Sequence, residues 1–320
     1  MKQYRGTYII LLVSLFLVGF GMLSYSLFDT KKDTEYFQIS VIVNDNTSEH
    51  WTKIKQGIDQ AALDYKVDIN FIMLAEESDY KEQCALMLRE MEDDADALVI
   101  VPADSVELLN TVKQVIEKIP VVTMMGEVHG DVSLDYISAD NKQMGQTLGN
   151  MIRDQGEENK NILVLTDGRE FSSTTKSYEG LMEQLNLGNY KINTVVKSEV
   201  GLLNEYQIKI KVELLHIDTV IALEPEDLEM IANAIDSYGL KLQLYGIGST
   251  NKSAYYLEQG TVNSLVAQNE FSIGYLGIQA AVNAIKSDHK NEDTTIPFRV
   301  VNKENMYTSE IQKLLFPLIQ

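Results

Sequence analysis

The chain has 320 residues, room for two domains with cores of their own, and carries a formal net charge of −20. That charge excludes nucleic acid as a partner, because phosphate binding needs a basic surface, and it disfavours anionic membrane surfaces. The single cysteine, Cys84, excludes an internal disulfide; spaced helically from Tyr80, Met87 and Met91, it reads as a core thiol.

In chain order, Lys2 and Arg5 precede an uncharged, largely apolar stretch from Gly6 to Phe28. About 22 residues at a rise of about 1.5 Å are enough to cross a hydrocarbon core of about 30 Å. The positive N-terminal side stays cytoplasmic and the rest lies outside. A cleaved signal peptide is the competing reading, but Ser24-Tyr25-Ser26 is a poor small-x-small site. No cysteine follows the run, so a lipid-modified N-terminal cysteine is excluded. Residues 1–35 are thus expected to be a membrane helix, or signal, with a short charged linker.

Strands and helices then alternate. Strands are expected at Phe37–Val43, Val67–Leu74, Ala97–Val101, Ile119–Met124 and Leu134–Asp140. Helices are expected at Trp51–Tyr65 and Tyr80–Met91, and over a segment carrying Val106, Leu108, Leu109, Val112, Val115 and Ile116. The run Ala97–Val101 is apolar without alternation, as in a parallel strand buried on both faces. Pro102 ends it, having no backbone donor, and Asp104 is placed to cap the next helix. A second series has strands at Ile162–Thr166, Lys191–Val196, Asp218–Leu223, Gln243–Ile247, Val262–Gln268 and Phe298–Val301. Its helices are Met144–Ile152, Tyr178–Leu185, Glu205–Leu215, a segment from Leu228 to Ile235, and Ile273–Ile285. Asp96–Asp104 and Asp218–Asp227 share one pattern: strand, proline, acid, helix. The recurrence points to two similar α/β halves, each with loops at the carboxyl ends of parallel strands, where open α/β sheets bind ligands.

No catalytic constellation is present. His50, His129, His216 and His289 are scattered, with no zinc-ligand spacing. There is no Gly-x-Ser-x-Gly elbow and no Walker loop, and Gly246-Ile-Gly248 lacks the dinucleotide spacing. No cofactor is expected, and no enzyme. Loop chemistry at strand ends stands out instead. Asn44–Trp51 follows the first strand and holds the sole Trp, which can stack on a flat or sugar-like ligand or cap the core beneath the helix. Glu224, Gln268 and Asn269 also end strands.

The order of elements resembles the type I periplasmic binding proteins, such as the ribose and galactose binders, and the related ligand-binding core of lac-type repressors. It is carried by Ile39–Val43, Gly57–Ala62, Asp96–Pro102, Ile119–Thr123, Ile137–Asn141, Tyr178–Gly180, Leu244–Ile247 and Ala267-Gln268. The resemblance implies two doubly wound parallel-sheet lobes joined by a three-segment hinge, with ligand between them. Lobe one would be 36–139 plus 269–296, and lobe two 140–268 plus 297–320. His50 and Trp51 stand at the family's aromatic stackers, Asp140 at its acid and Gln268 at its crossover glutamine; Asn46 is a further polar contact. Met125-Gly126 replace an Asp-Arg pair, Thr175 lies near a binding arginine, Glu224-Pro225 replace Asn-Asp, and Gly248 replaces an aspartate. These departures point away from a pyranose gripped by bidentate charged partners. They favour another small neutral or cationic solute, in a cleft whose only charged members are Glu224 and Asp140, or a protein-facing module. The partner of such a binder is a membrane permease of ABC-type uptake, or alternatively a histidine kinase if the chain is an anchored sensor.

Overall fold

A computed structural model of the chain describes residues 36–44, 50–76, 79–104, 106–166, 168, 173–197, 203–286 and 293–317. The expected membrane helix lies outside these residues. Among the described residues no helix is long and apolar enough to cross a membrane.

The described strands form two six-stranded sheets. The first contains β1 (Gln38–Val43), β2 (Asp68–Met73), β3 (Ala97–Ile100), β4 (Val121–Met124), β5 (Asp135–Ala139) and β11 (Asp293–Ile296), in the order β11-β5-β4-β3-β1-β2. The second contains β6 (Asn161–Thr166), β7 (Lys191–Val196), β8 (Thr219–Ala222), β9 (Gln243–Ile247), β10 (Ser264–Gln268) and β12 (Phe298–Asn302), in the order β12-β10-β9-β8-β6-β7. Each sheet thus runs through its strands in the same sequence. Every pairing is parallel except β10 with β12. β3 and β8, the strands of the recurring motif, hold equivalent places and are buried throughout, as their unbroken apolar runs require. The chain passes between sheets three times: after β5, after β10, and at Pro297 between β11 and β12.

Helices cover both faces of each sheet. α1 (His50–Tyr65), α2 (Tyr80–Glu92), α3 (Leu109–Ile116) and α9 (Glu270–Ile285) belong to lobe one. α4 (Asn141–Arg153), α5 (Ser173–Leu185), α6 (Glu205–Leu215), α7 (Pro225–Tyr238), α8 (Asn251–Gln259) and α10 (Ser309–Leu315) belong to lobe two. Five of the ten described helices have a side-chain cap at their start. Asp79, Asp140, Thr250 and Asn269 each accept a backbone N–H of the first turn, and Asn204 with Gln207 forms a capping box.

The two lobes repeat one helix crossing, α1 on α9 and α5 on α4. A Cβ added at Gly57 would lie 2.0 Å from the Phe271 carbonyl oxygen, and one at Gly274 2.0 Å from that of Ile54. In lobe two, a Cβ at Gly180 would lie 2.0 Å from the Lys142 oxygen, and one at Gly145 1.8 Å from that of Ser177. Reciprocal glycines therefore bring both helix pairs into backbone contact. Gly57 and Gly180 are each the eighth residue of their helix.

The sequence-based boundaries shift at a few places. Asp104 does accept the Val106 and Glu107 amides, but they close a turn and α3 begins at Leu109. α4 starts at Asn141 because Asp140 caps it. β11, α8 and α10 have no counterpart among the expected elements. α8 and α10 are short, and β11 gains its identity from pairing with β5, a strand distant in the chain.

Candidate functional site

In lobe two the carboxyl ends of the parallel strands carry a compact ionic group. Lys197 follows β7, Glu224 follows β8, and Asp227 lies in the first turn of α7. The Lys197 amine donates to Glu224 Oε2 at 2.6 Å and lies 3.3 Å from Asp227 Oδ1. The buried Thr174 hydroxyl, in the first turn of α5, donates to Glu224 Oε1 at 3.2 Å. Both oxygens of Glu224 are therefore engaged from within the protein. Burial opposes the charge on Lys197, but the Glu224 and Asp227 carboxylates outweigh it and raise its pKa. One ammonium faces two acids, and Asp227 is the more deeply buried. Burial pushes Asp227 up, Lys197 pulls it down and Glu224 pushes it up again, leaving it at about 7. Its Oδ2 has no hydrogen-bond partner among the described residues.

Next along the same edge come β9 and β10. Gly248 follows β9 in a position where a Cβ would sit 2.9 Å from Ser253 Oγ. A side chain at this place would have to displace the Ser253 hydroxyl and crowd Leu228. Ser249 is buried, and its hydroxyl has no partner among the described residues. Gln268 ends β10 at the second passage between lobes, is 8% exposed, and its Oε1 has no hydrogen-bond partner among the described residues. A buried amide oxygen left in this condition costs roughly 1–3 kcal/mol.

Lobe one supplies the facing edge. Trp51 is 6% exposed and packs with Val43, Ile54, Val101 and Met124 in the core beneath α1. Most of its indole serves the core. Met125 follows β4 in a left-handed conformation (φ 62°) and is half-buried against the same core. Asp140 is exposed, and its Oδ1 accepts the Gln143 amide at 2.9 Å as the cap of α4. Thr175 is half-buried in the first turn of α5. Asn46 and the His50 side chain lie outside the described residues.

Two lysines cross between the lobes. Lys53 of α1 is 8% exposed and its amine donates to the carbonyl oxygens of Ser249 and Leu315, both in lobe two. It also lies 5.8 Å from the centroid of the Phe316 ring. In the opposite sense, Lys176 of α5 pairs with Glu127 of lobe one at 2.6 Å and lies 5.6 Å from the Tyr136 ring centroid.

Two α/β lobes with a threefold passage between them thus carry polar groups at their strand ends. Residues 39–290 match the family model described as a periplasmic binding protein domain. The chain belongs to this family. Three solved structures share its fold. A carbohydrate-transporter solute-binding protein of Agrobacterium radiobacter, in complex with D-arabinose, is 21% identical with a TM-score of 0.79, covering 88% of this chain and 100% of that one. An ABC-transporter solute-binding protein of Agrobacterium vitis with D-fucose is 20% identical, TM-score 0.78, covering 87% and 100%. A myo-inositol-binding protein of Caulobacter is 16% identical, TM-score 0.75, covering 88% and 98%. No sequence among curated proteins matches the chain. A periplasmic binding protein domain holds its ligand without transforming it, and the chain is not an enzyme.

Within this periplasmic binding domain, the strand-end group includes a lysine that the sequence expectation left out. Glu224 and Asp140 were expected to leave the cleft neutral to acidic with no lysine. The structure adds Lys197, which neutralises Glu224, and sets Lys53 and Lys176 between the lobes. The rule that strand ends face the cleft applies to Lys197, the residue after β7, and was the signal available for it. Asp227 had no such signal, because its burial arises from tertiary packing of the α7 start.

Proposed function

We propose that the chain is an extracytoplasmic solute-binding protein of an ABC-type uptake system, holding a neutral, sugar-like solute between its lobes. The observation that carries this reading is the buried Gln268 amide at the interlobe passage, whose Oε1 lacks a partner among the described residues. A hydroxyl of the solute would complete it. Trp51 and Met125 form the apolar side of the site, while Asp140, Thr175, Glu224 and the backbone at Gly248 border it. Because both Glu224 oxygens are already bonded, a cationic solute gains little there, and neutral hydroxylated solutes are favoured over carboxylates and phosphates. The sugars named for the three similar structures are the natural first probes.

Calorimetry with D-arabinose, D-fucose, myo-inositol and a wider pentose and hexose panel tests the reading. At least one should bind, and Gln268→Ala should weaken it by roughly tenfold, the value of one buried hydrogen bond. Heat from none of the panel, together with tight binding of an organic acid or phosphate ester, would overturn it. A second reading, a membrane-anchored sensor acting on a histidine kinase, is favoured by the long uncharged run from Gly6 to Phe28, which suits a retained anchor. Uptake of the bound sugar by cells lacking the chain separates the two: lost uptake supports transport, and intact uptake with lost transcriptional response supports sensing.

A further inference from the structure

The two lysines that cross between lobes are equivalent. Lys53 is the fourth residue of α1, and Lys176 the fourth of α5. α1 follows β1, the second strand from the edge of its sheet, and α5 follows β6, which holds the same place in the other. Each lies four residues, roughly one helical turn, before the glycine that presses its helix onto the backbone of the next. Each lobe therefore extends one long cation from the same point of the same element, and each cation finds its acceptor on the other lobe.

The acceptors differ. Lys53 is buried and uses main-chain carbonyls, Ser249 beyond β9 and Leu315 at the end of α10. Carbonyls do not titrate, and a buried ammonium is little screened by salt. Lys176 uses the Glu127 carboxylate, with the two side chains 30% and 37% exposed, and the Tyr136 ring. That pair is open to screening. Neither lysine belongs to the strand-end group around Glu224.

We propose that Lys53 and Lys176 are positioning residues that form a two-point clasp, setting the balance between open and closed lobes before any solute arrives. The clasp lowers the work a solute must do to close the cleft. It also gives the molecule two separable sensitivities: the Lys176 side loosens with ionic strength, and the Lys53 side does not.

Pulsed dipolar spectroscopy on the full-length chain tests this without a solute. Spin labels replace Glu107 and Glu226, exposed residues beyond β3 and β8 on opposite lobes, in a Cys84→Ser background. The parent should show a predominantly short distance. Lys176→Met should raise the open-to-closed ratio about two- to fivefold, the range of a partly exposed pair. Lys53→Met should raise it about tenfold or more, because charged hydrogen bonds are lost. Salt of about 1 M should reproduce the Lys176→Met effect in the parent and add nothing in that variant. Glu127→Gln, a surface change that leaves lobe two intact, should copy Lys176→Met and keeps the test decisive if Lys53→Met fails to fold. A parent already at the long distance, or distances unchanged in folded Lys176→Met and Glu127→Gln chains, would overturn the clasp. Since no sugar is present, that failure is distinct from failure of the sugar reading.

Discussion

One ammonium serving two carboxylates fixes the pH behaviour of lobe two. Asp227 is held at about 7 in the folded chain, above the 3.8 of a free aspartate, chiefly by burial. Between those values the folded chain keeps a proton that the unfolded chain releases. The resulting stability is fully present below about pH 4 and is lost as pH rises through about 7. Asp227→Asn removes this dependence. In urea titrations, its unfolding free energy relative to the parent should climb from about pH 4.5 to about 7 and level off above. A constant difference across that range would show that Asp227 ionises as an ordinary aspartate. Trp51→Ala gives a second residue-level expectation. As a core side chain it should lower stability by about 3–5 kcal/mol, read as an earlier urea midpoint. A ligand-only role would leave the midpoint unmoved. Strand-end logic made Gln268 and Glu224 visible from sequence, because a polar residue directly after an apolar run has few places to point. It could not show that Glu224 is already spoken for. Lys197 and Thr174 lie 27 and 50 residues away along the chain, and only the sheet order brings them together.

At the scale of elements, the twin helix crossings carry the clearest expectation. Ala at Gly57 or Gly145 would drive a methyl into a carbonyl oxygen, at 2.0 Å and 1.8 Å. Neither backbone can yield without separating two helices. Each substitution should cost at least about 1–3 kcal/mol, or several degrees of melting temperature in a domain of this size. Calorimetric melting of the two variants checks it, and parent-like melting would mean that the crossings are looser than described. Much of this layer was legible. Apolar runs located β3, β6 and β8, whereas the cap read from sequence, Asp104, closes a turn ahead of α3. The partner of each glycine was not legible, because Gly57 meets Phe271 more than two hundred residues later. The short α8 was not legible either, although Thr250 caps its start and Gly260 (φ 86°) ends it, since nine mixed residues give too little periodicity.

For the whole molecule, the proposed clasp makes the balance between lobes the quantity to follow, and the chain crosses from one lobe to the other after β5 and after β10. Protease added to spheroplasts should remove residues 36–320 if the Gly6–Phe28 run anchors them outside; survival until lysis would reverse that orientation. The helices that begin at those two passages, α4 and α9, are the ones locked backbone to backbone onto α5 and α1. A contact between a carbonyl and an α-carbon has no rotamer to give way, unlike one between leucines. Rotation at a passage is therefore transmitted to the far helix without backlash, as between parts of one casting. A protein docked across α1 and α5 would meet two plates of fixed shape, and what it reads of the cleft's contents is the angle between them.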